Sequence, residues 1–324
     1  MFEFSAENRE YSPASLIEAV VPVRKARMVG ELFNEYIAQL KDEGRLGYAL
    51  SVQQVYNSLL KYRGHLDIYF SEIDVNWLRA YESWLRRCGL ADNTIGIRFR
   101  TLRAVYNLAL TEGVVKVDCY PFKKYKVSKL HKETAKRAIT KEQVKQVIEY
   151  DVSGARFYKR LAVDMFAFSY LMGGINFTDM AFLTDKNFEG ERLVYIRQKT
   201  KKLIMLPLQE KAIEIANRYR SPQCKYVFPI LDNRVRTPRQ VRNRIYDVLD
   251  SVNGYLADIG RELGIELKIS SYVARHSYAT VLKRSGVSTS VISESLGHSS
   301  ERVTQIYLDS FENKQLGDAM KNLL

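Results

Sequence analysis

Apolar residues recur at helical spacing through the N-terminal part of the chain. From about Val29 to Gly113 no strand-like alternation of apolar and polar positions interrupts them, so several helices are expected. The clearest runs from Asp92 or Asn93, short polar side chains suited to an N-cap, to Gly113, suited to the turn that ends a helix. Ile95, Phe99, Leu102, Val105 and Ala109 fall on one side of it, and Arg100, Arg103 and Asn107 on another. That arginine face is either solvated or turned towards phosphate.

The periodicity stops at "CYPFKKYKVSKLHKETAKR", residues 119–137. Between Lys123 and Arg137 lie five further lysines, a single acid, Glu133, and no apolar repeat, which marks a linker between two domains. Extended at about 3.3 Å per residue, fifteen such residues reach roughly 50 Å. Lys123, Lys124, Lys126 and Lys129 are its candidates for contact with a polyanion. The expected organisation is an N-terminal arm over 1–28, a helical domain over 29–118, the linker over 119–137 and a second domain over 138–324.

The second domain opens with a capping box, Thr140 and Gln143, flanked by Ile139 and Val144 as a hydrophobic staple. A further apolar helix ends near "FAFSYLMGG". The segment "RLVYIRQKTKKLIMLPL" then alternates as strand, turn and strand, with Leu193, Tyr195, Arg197 and Lys199 on one face and Val194, Ile196 and Gln198 on the other. Thr237 and Pro238 suit the start of another helix, and the rest reads mostly helical. The fold class is mainly α with a small β-hairpin, in two domains, as 324 residues also suggest.

Charge narrows the partners. Fifty Lys and Arg against 37 acids give a formal net charge of +13, which favours nucleic acid. The basic residues are spread along the chain rather than gathered on one amphipathic helix, which argues against a membrane surface. No apolar run reaches the roughly 18 residues of a membrane span. The N-terminus, "MFEFSAENREYSP", has no apolar signal core, so a cytoplasmic protein is expected. Cys88, Cys119 and Cys224 form no CxxC or Cys/His cluster, and no phosphate loop or HExxH occurs. No metal and no cofactor is expected, although carboxylates distant in the chain leave a metal-dependent nuclease open.

Residues 270–307 read as three short helices, ending at Gly286, ending at Gly297, and starting at Ser299 or Ser300. Arg275 falls in the first, His298 in the second turn and Tyr307 at the far end of the third. Taken singly, each is an ordinary structural residue. Together, "ARHSYAT", "SLGHSS" and "VTQIY", in this order and spacing, resemble the signature of the tyrosine recombinase, or phage integrase, family. "YIRQKTKKLIMLPL" resembles the hairpin that bears the family's catalytic lysine, and the helical N-terminal half resembles its core-binding domain.

The resemblance implies a helical core-binding domain and an α+β catalytic domain closing around double-stranded DNA. It implies four protomers on two recombination sites, with accessory DNA-bending proteins as further partners. Tyr307 would attack a phosphodiester and form a 3′-phosphotyrosyl bond, conserving its energy for religation without ATP. Arg275 would hold the phosphate, His298 would either donate to the same phosphate or help accept the tyrosine's proton, and Lys199 would protonate the leaving 5′-oxygen.

Two positions depart from the family. Asn176 stands where the first catalytic arginine is usual, with Asp179 at the position of the acid that follows it. Tyr272, in "YVAR", stands where HxxR has histidine, and its phenol could still donate a hydrogen bond. Arg197 is the preferred source of the missing charge, with Arg156 and Arg160 as alternatives. A tolerated amide would resemble integrases of conjugative transposons. His276 reads as structural. Phe311, Leu316, Met320 and Leu323 give the tail an apolar stripe that packs either on its own domain or on a neighbour. Two rivals remain: a non-catalytic regulator built on the helix-turn-helix pattern of "ATVLKRSGVSTSVISESLGHSS", needing neither Tyr307 nor Lys199, and an invertase or type IB topoisomerase using the same tyrosine chemistry.

Overall fold

The computed structural model describes residues 27–132, 137–298, 300–305 and 308. Tyr307, most of the N-terminal arm and the tail with Phe311, Leu316, Met320 and Leu323 lie outside the described residues. The chain divides into two compact units, residues 1–134 and 135–324.

Four α-helices dominate the described part of the first unit: α1 (Val29–Asp42), α2 (Leu46–Arg63), α3 (Val75–Arg87) and α4 (Asp92–Thr111). Phe33, Leu59, Tyr81, Phe99, Leu102 and Tyr106 meet in its core. The apolar face expected on α4 is the one that is buried, and Arg100 and Arg103 are exposed. Its start differs from the expectation. Ala91 is the N-cap, with no side-chain cap bond, because both candidate polar side chains are engaged elsewhere. Asp92 pairs with Arg86 at 2.6 Å. Asn93 clasps the backbone of Lys132, donating to its carbonyl at 2.8 Å and accepting from its N–H at 3.0 Å.

That clasp belongs to a larger correction. Most of the expected linker is folded onto the first unit as three 3₁₀ turns, Val117–Cys119, Pro121–Lys123 and Val127–Leu130. Phe122, Tyr125, Val127 and Leu130 are buried, and Tyr125 stacks on Phe99 with ring centroids 4.9 Å apart. Apolar positions two and three residues apart match short 3₁₀ turns, not the helix or strand periods. Glu82 on α3 anchors the segment, accepting from Lys129 Nζ at 2.7 Å and from the Tyr125 phenol. Lys123, Lys124 and Lys126 are exposed, whereas Lys129 is paired within its own unit.

The second unit begins at α5 (Lys141–Ile148), with the expected reciprocal capping box and with Ile139 and Val144 in the core. The next helix, α6 (Phe157–Leu171), is buried all round from Leu161 to Ser169 and packs against α9 (Pro238–Glu262) and α10 (Ser271–Arg284). Between α6 and α9 lie α7 (Phe177–Ala181), strands β1 (Phe188–Glu189), β2 (Arg192–Ile196) and β3 (Leu203–Pro207), and α8 (Glu210–Tyr219). Thr237 and Pro238 open α9 as expected.

The strands form one antiparallel sheet in the order β1-β2-β3. The expected hairpin is β2 and β3; β1 has two residues, too few to show a period. Leu193 and Tyr195 face the core opposite Leu206 and Ile204. Arg197 continues their side and is buried, but β2 ends at Ile196 and Lys199 is exposed in the following turn rather than aligned with that face. After α10 come α11 (Thr289–Ser295) and α12 (Glu301–Gln305), and Gly286 and Gly297 end α10 and α11 with positive φ. The fold is thus mainly α with a small three-stranded sheet.

Candidate active site

The turn after α6 builds the floor of the site. Gly173 and Gly174 both have φ of 66°, and a Cβ on Gly174 would lie 3.0 Å from Arg275 Cγ. The bare backbone lets α10 approach closely enough for Arg275 Nη1 to donate to the Gly174 carbonyl at 2.6 Å. Arg275 Nη2 donates to the Leu296 carbonyl at 2.6 Å and lies 3.1 Å from His298 Nε2. Arg275 is 2% exposed, so carbonyl dipoles stand in for water around a permanent charge.

Arg197 reaches the same centre from the sheet. Its Nη1 donates to the Gly297 carbonyl at 2.7 Å, and the side chain is 5% exposed. Gly297 has φ of 62°, and a Cβ there would lie 2.6 Å from Ile204 and 3.2 Å from Arg197 Cδ. Glycine is therefore required where α11 hands over to His298. The β2–β3 turn is closed by Lys201 N–H donating to the Arg197 carbonyl at 2.8 Å, with Lys201 itself at φ of 55°. Lys199 and Lys202 sit in this turn close enough for their charges to act on His298.

Asp179 ties the turn to α7. Its carboxylate accepts from the Gln198 N–H at 2.8 Å and from the Asn176 side chain. Burial pushes this carboxyl up, against the opposing pull of the Gln198 amide, Arg197, Asn176 and Arg275. Asn176, at the N-cap position of α7, thus orients the acid and adds no charge. His298 is pushed the other way. Burial, followed by the positive charges of Arg275, Arg197, Lys199 and Lys202, lowers it to about 3, so the ring is neutral at pH 7.

The structure therefore gathers Asn176, Asp179, Arg197, Lys199, Arg275 and His298 from four separate stretches of chain. Tyr272 lies on the first turn of α10, three residues before Arg275; it is 38% exposed and meets His276 edge-on at 4.8 Å, so it is no core aromatic. Arg156 and Arg160 start α6, whose 15 residues span about 22 Å. Arg160 acts on Asp164, which pairs with Arg218, and neither arginine joins the cluster. Sequence reasoning missed Thr304, whose Oγ1 is 2.8 Å from His298 Nδ1, and the carbonyls of Gly174, Leu296 and Gly297. The double glycine of "GGIN" was the available signal for the first of those carbonyls. Among the described residues no group of three or more His, Cys, Asp or Glu could hold a metal ion.

Residues 28–127 match the phage integrase SAM-like domain, and residues 137–314 match the phage integrase family. The tyrosine recombinase XerC of Thermodesulfovibrio yellowstonii is 25% identical over 68% of this chain and 72% of its own. Among solved structures, the Tn1549 transposon integrase in complex with transposon right end DNA superposes with a TM-score of 0.67 at 15% identity, over 92% of this chain and 99% of that one. The lambda integrase of a tetramer bound to a Holliday junction gives a TM-score of 0.61 at 13% identity, over 94% and 83%.

Proposed function

The chain belongs to the phage integrase family of tyrosine recombinases, and from that premise we propose that it cuts and rejoins double-stranded DNA through a 3′-phosphotyrosyl bond at Tyr307. The observation that carries this reading is the buried pair of guanidiniums, Arg275 and Arg197, fixed by the carbonyls of Gly174, Leu296 and Gly297, with His298 next in the chain.

The Tyr307 oxygen attacks phosphorus as its proton passes to His298; the bond from phosphorus to the 5′-oxygen then breaks, and that oxygen takes a proton from Lys199. A 5′-hydroxyl of a partner duplex reverses the steps and releases the tyrosine. Charge grows on the non-bridging oxygens, where Arg275 and Arg197 act without first having to reorganise. Arg197 supplies the positive charge that Asn176 lacks, and Tyr272 adds a neutral donor through its phenol. A docked phosphate also offsets the cations around His298 and raises its affinity for the tyrosine's proton.

Arg100, Arg103, Lys123, Lys124 and Lys126 contact phosphates from the first unit; Lys129 joins them only by leaving Glu82. The first unit serves as the core-binding domain through about Lys132, and the catalytic domain follows from about residue 138. Four protomers act on two sites in the cytoplasm, with accessory DNA-bending proteins as further partners. The test is incubation with a nicked suicide duplex from the end of the chain's own element. A denaturant-resistant adduct absent in Tyr307→Phe is expected, and no adduct on any cognate end favours the helix-turn-helix regulator.

A further inference from the structure

Thr304 lies on α12, three residues before position 307, and its side chain is fully buried. Its Oγ1 stands 2.8 Å from Nδ1 of His298, while the other ring nitrogen, Nε2, stands 3.1 Å from Nη2 of Arg275. A guanidinium has donors and no acceptor. The Arg275 contact therefore uses the lone pair of Nε2, and the single proton of the neutral ring sits on Nδ1, directed at the threonine oxygen.

We propose that Thr304 is a positioning residue: its hydroxyl accepts from Nδ1–H of His298, holds the ring in that one tautomer, and ties α12 to the buried Arg275. What the ring then does rests on the recombinase reading; the tautomer does not. Among the described residues, charged groups acting on the ring include Arg275 from α10 and Arg197, Lys199 and Lys202 from the β2–β3 turn, and each of these opposes a second proton. Arg275 claims the lone pair of Nε2, and the Thr304 hydroxyl, by accepting from Nδ1–H, adds its own bias to the same tautomer. With Nδ1 occupied, Nε2 is the nitrogen left to receive a proton beside the arginine.

The chain has four histidines, His65, His131, His276 and His298, so ¹⁵N-histidine labelling of the full protein gives few signals. Long-range ¹H–¹⁵N spectra at pH 7, assigned with His298→Gln, read the tautomer directly. His298 is expected to carry its proton on Nδ1 in the wild type and in Thr304→Ser. Thr304→Val keeps the shape and removes the acceptor, and is expected to shift the tautomer ratio towards Nε2–H at least tenfold. Adduct formation is expected to fall about tenfold in Thr304→Val, with duplex binding unchanged, and to stay within about threefold in Thr304→Ser. A wild-type ring protonated on Nε2, or a Thr304→Val ratio equal to wild type, overturns the proposal. If Thr304→Val does not fold, the wild-type and Thr304→Ser spectra still decide. Should the tautomer follow Thr304 while Tyr307→Phe still forms adduct, the positioning stands and the recombinase reading falls.

Discussion

Replacing Arg197 with alanine removes one of two fixed cations from the centre of the site. The side chain is 5% exposed and holds the Gly297 carbonyl at 2.7 Å; the Thr200 hydroxyl, 3.4 Å from the same oxygen, is a poor substitute. Losing a charged donor at a buried carbonyl costs about 1.5 to 3 kcal/mol of stability. If Arg197 also meets the phosphate, the barrier to cleavage rises by about 2 to 4 kcal/mol, the scale of one preorganised donor, and the rate falls roughly 30- to 1,000-fold. The two effects separate by design. Thermal unfolding reports the first, and single-turnover adduct formation on the nicked duplex, well below the variant's melting temperature and at saturating protein, reports the second. Arg197→Lys keeps the charge but not the planar fork and should fall between alanine and wild type. Arg160→Ala, at the far end of α6, should cleave normally. A folded Arg197→Ala protein that cleaves within threefold of wild type refutes the assignment and leaves Asn176 an amide that the chemistry simply tolerates.

Four further outcomes follow from other parts of the structure. His298 binds its proton less readily folded than unfolded, with an ordinary value of 6.5 brought down to about 3, so the unfolded chain takes up the extra proton between those limits and stability falls as pH drops from about 6.5 towards 3. Each pH unit is worth up to about 1.4 kcal/mol; Asp179, whose carboxyl is raised, works in the opposite sense, and urea titrations should show a shallower acid slope in His298→Gln than in wild type. Gly174→Ala forces a side chain into positive φ against Arg275 and should lower stability by about 1 to 3 kcal/mol, measured by denaturant melts. Thr140→Ala removes the cap of α5 and should cost about 1 kcal/mol in the same assay. Neutralising Lys123, Lys124 or Lys126 should weaken duplex binding uniformly across sequences and reduce the log–log salt slope by about one each, whereas Lys129→Gln, already paired with Glu82, should change that slope less.

Much of this was legible in the chain because the relevant signals were local. The capping box at Thr140, the opening of α9 at Thr237 and Pro238, and the apolar stripe of α4 are decided within a few residues, and each formed as its spacing required. The misreadings arose where distant groups intervened. Asn93 looked like a cap but is held by Lys132, thirty-nine positions away, and the lysine-rich segment looked like a linker because its buried Phe122, Tyr125, Val127 and Leu130 follow the spacing of 3₁₀ turns. At the site, side-chain identities could be read and backbone roles could not. Apart from the double glycine at Gly174, nothing at Leu296 or Gly297 announces that its carbonyl will hold an arginine, because that depends on which side chain passes by. Thr304 was hidden for the same reason, since a buried threonine on a short helix is ordinary until His298 is seen beside it.

The most direct measurement is the chemical identity of the covalent adduct. After trapping on the nicked duplex, protease and nuclease digestion followed by mass spectrometry should find a nucleotide esterified through its 3′-phosphate to the peptide containing Tyr307, with a free 5′-hydroxyl on the released strand. Linkage to another residue, linkage through a 5′-phosphate, or cleaved strands with no protein attached would contradict the account.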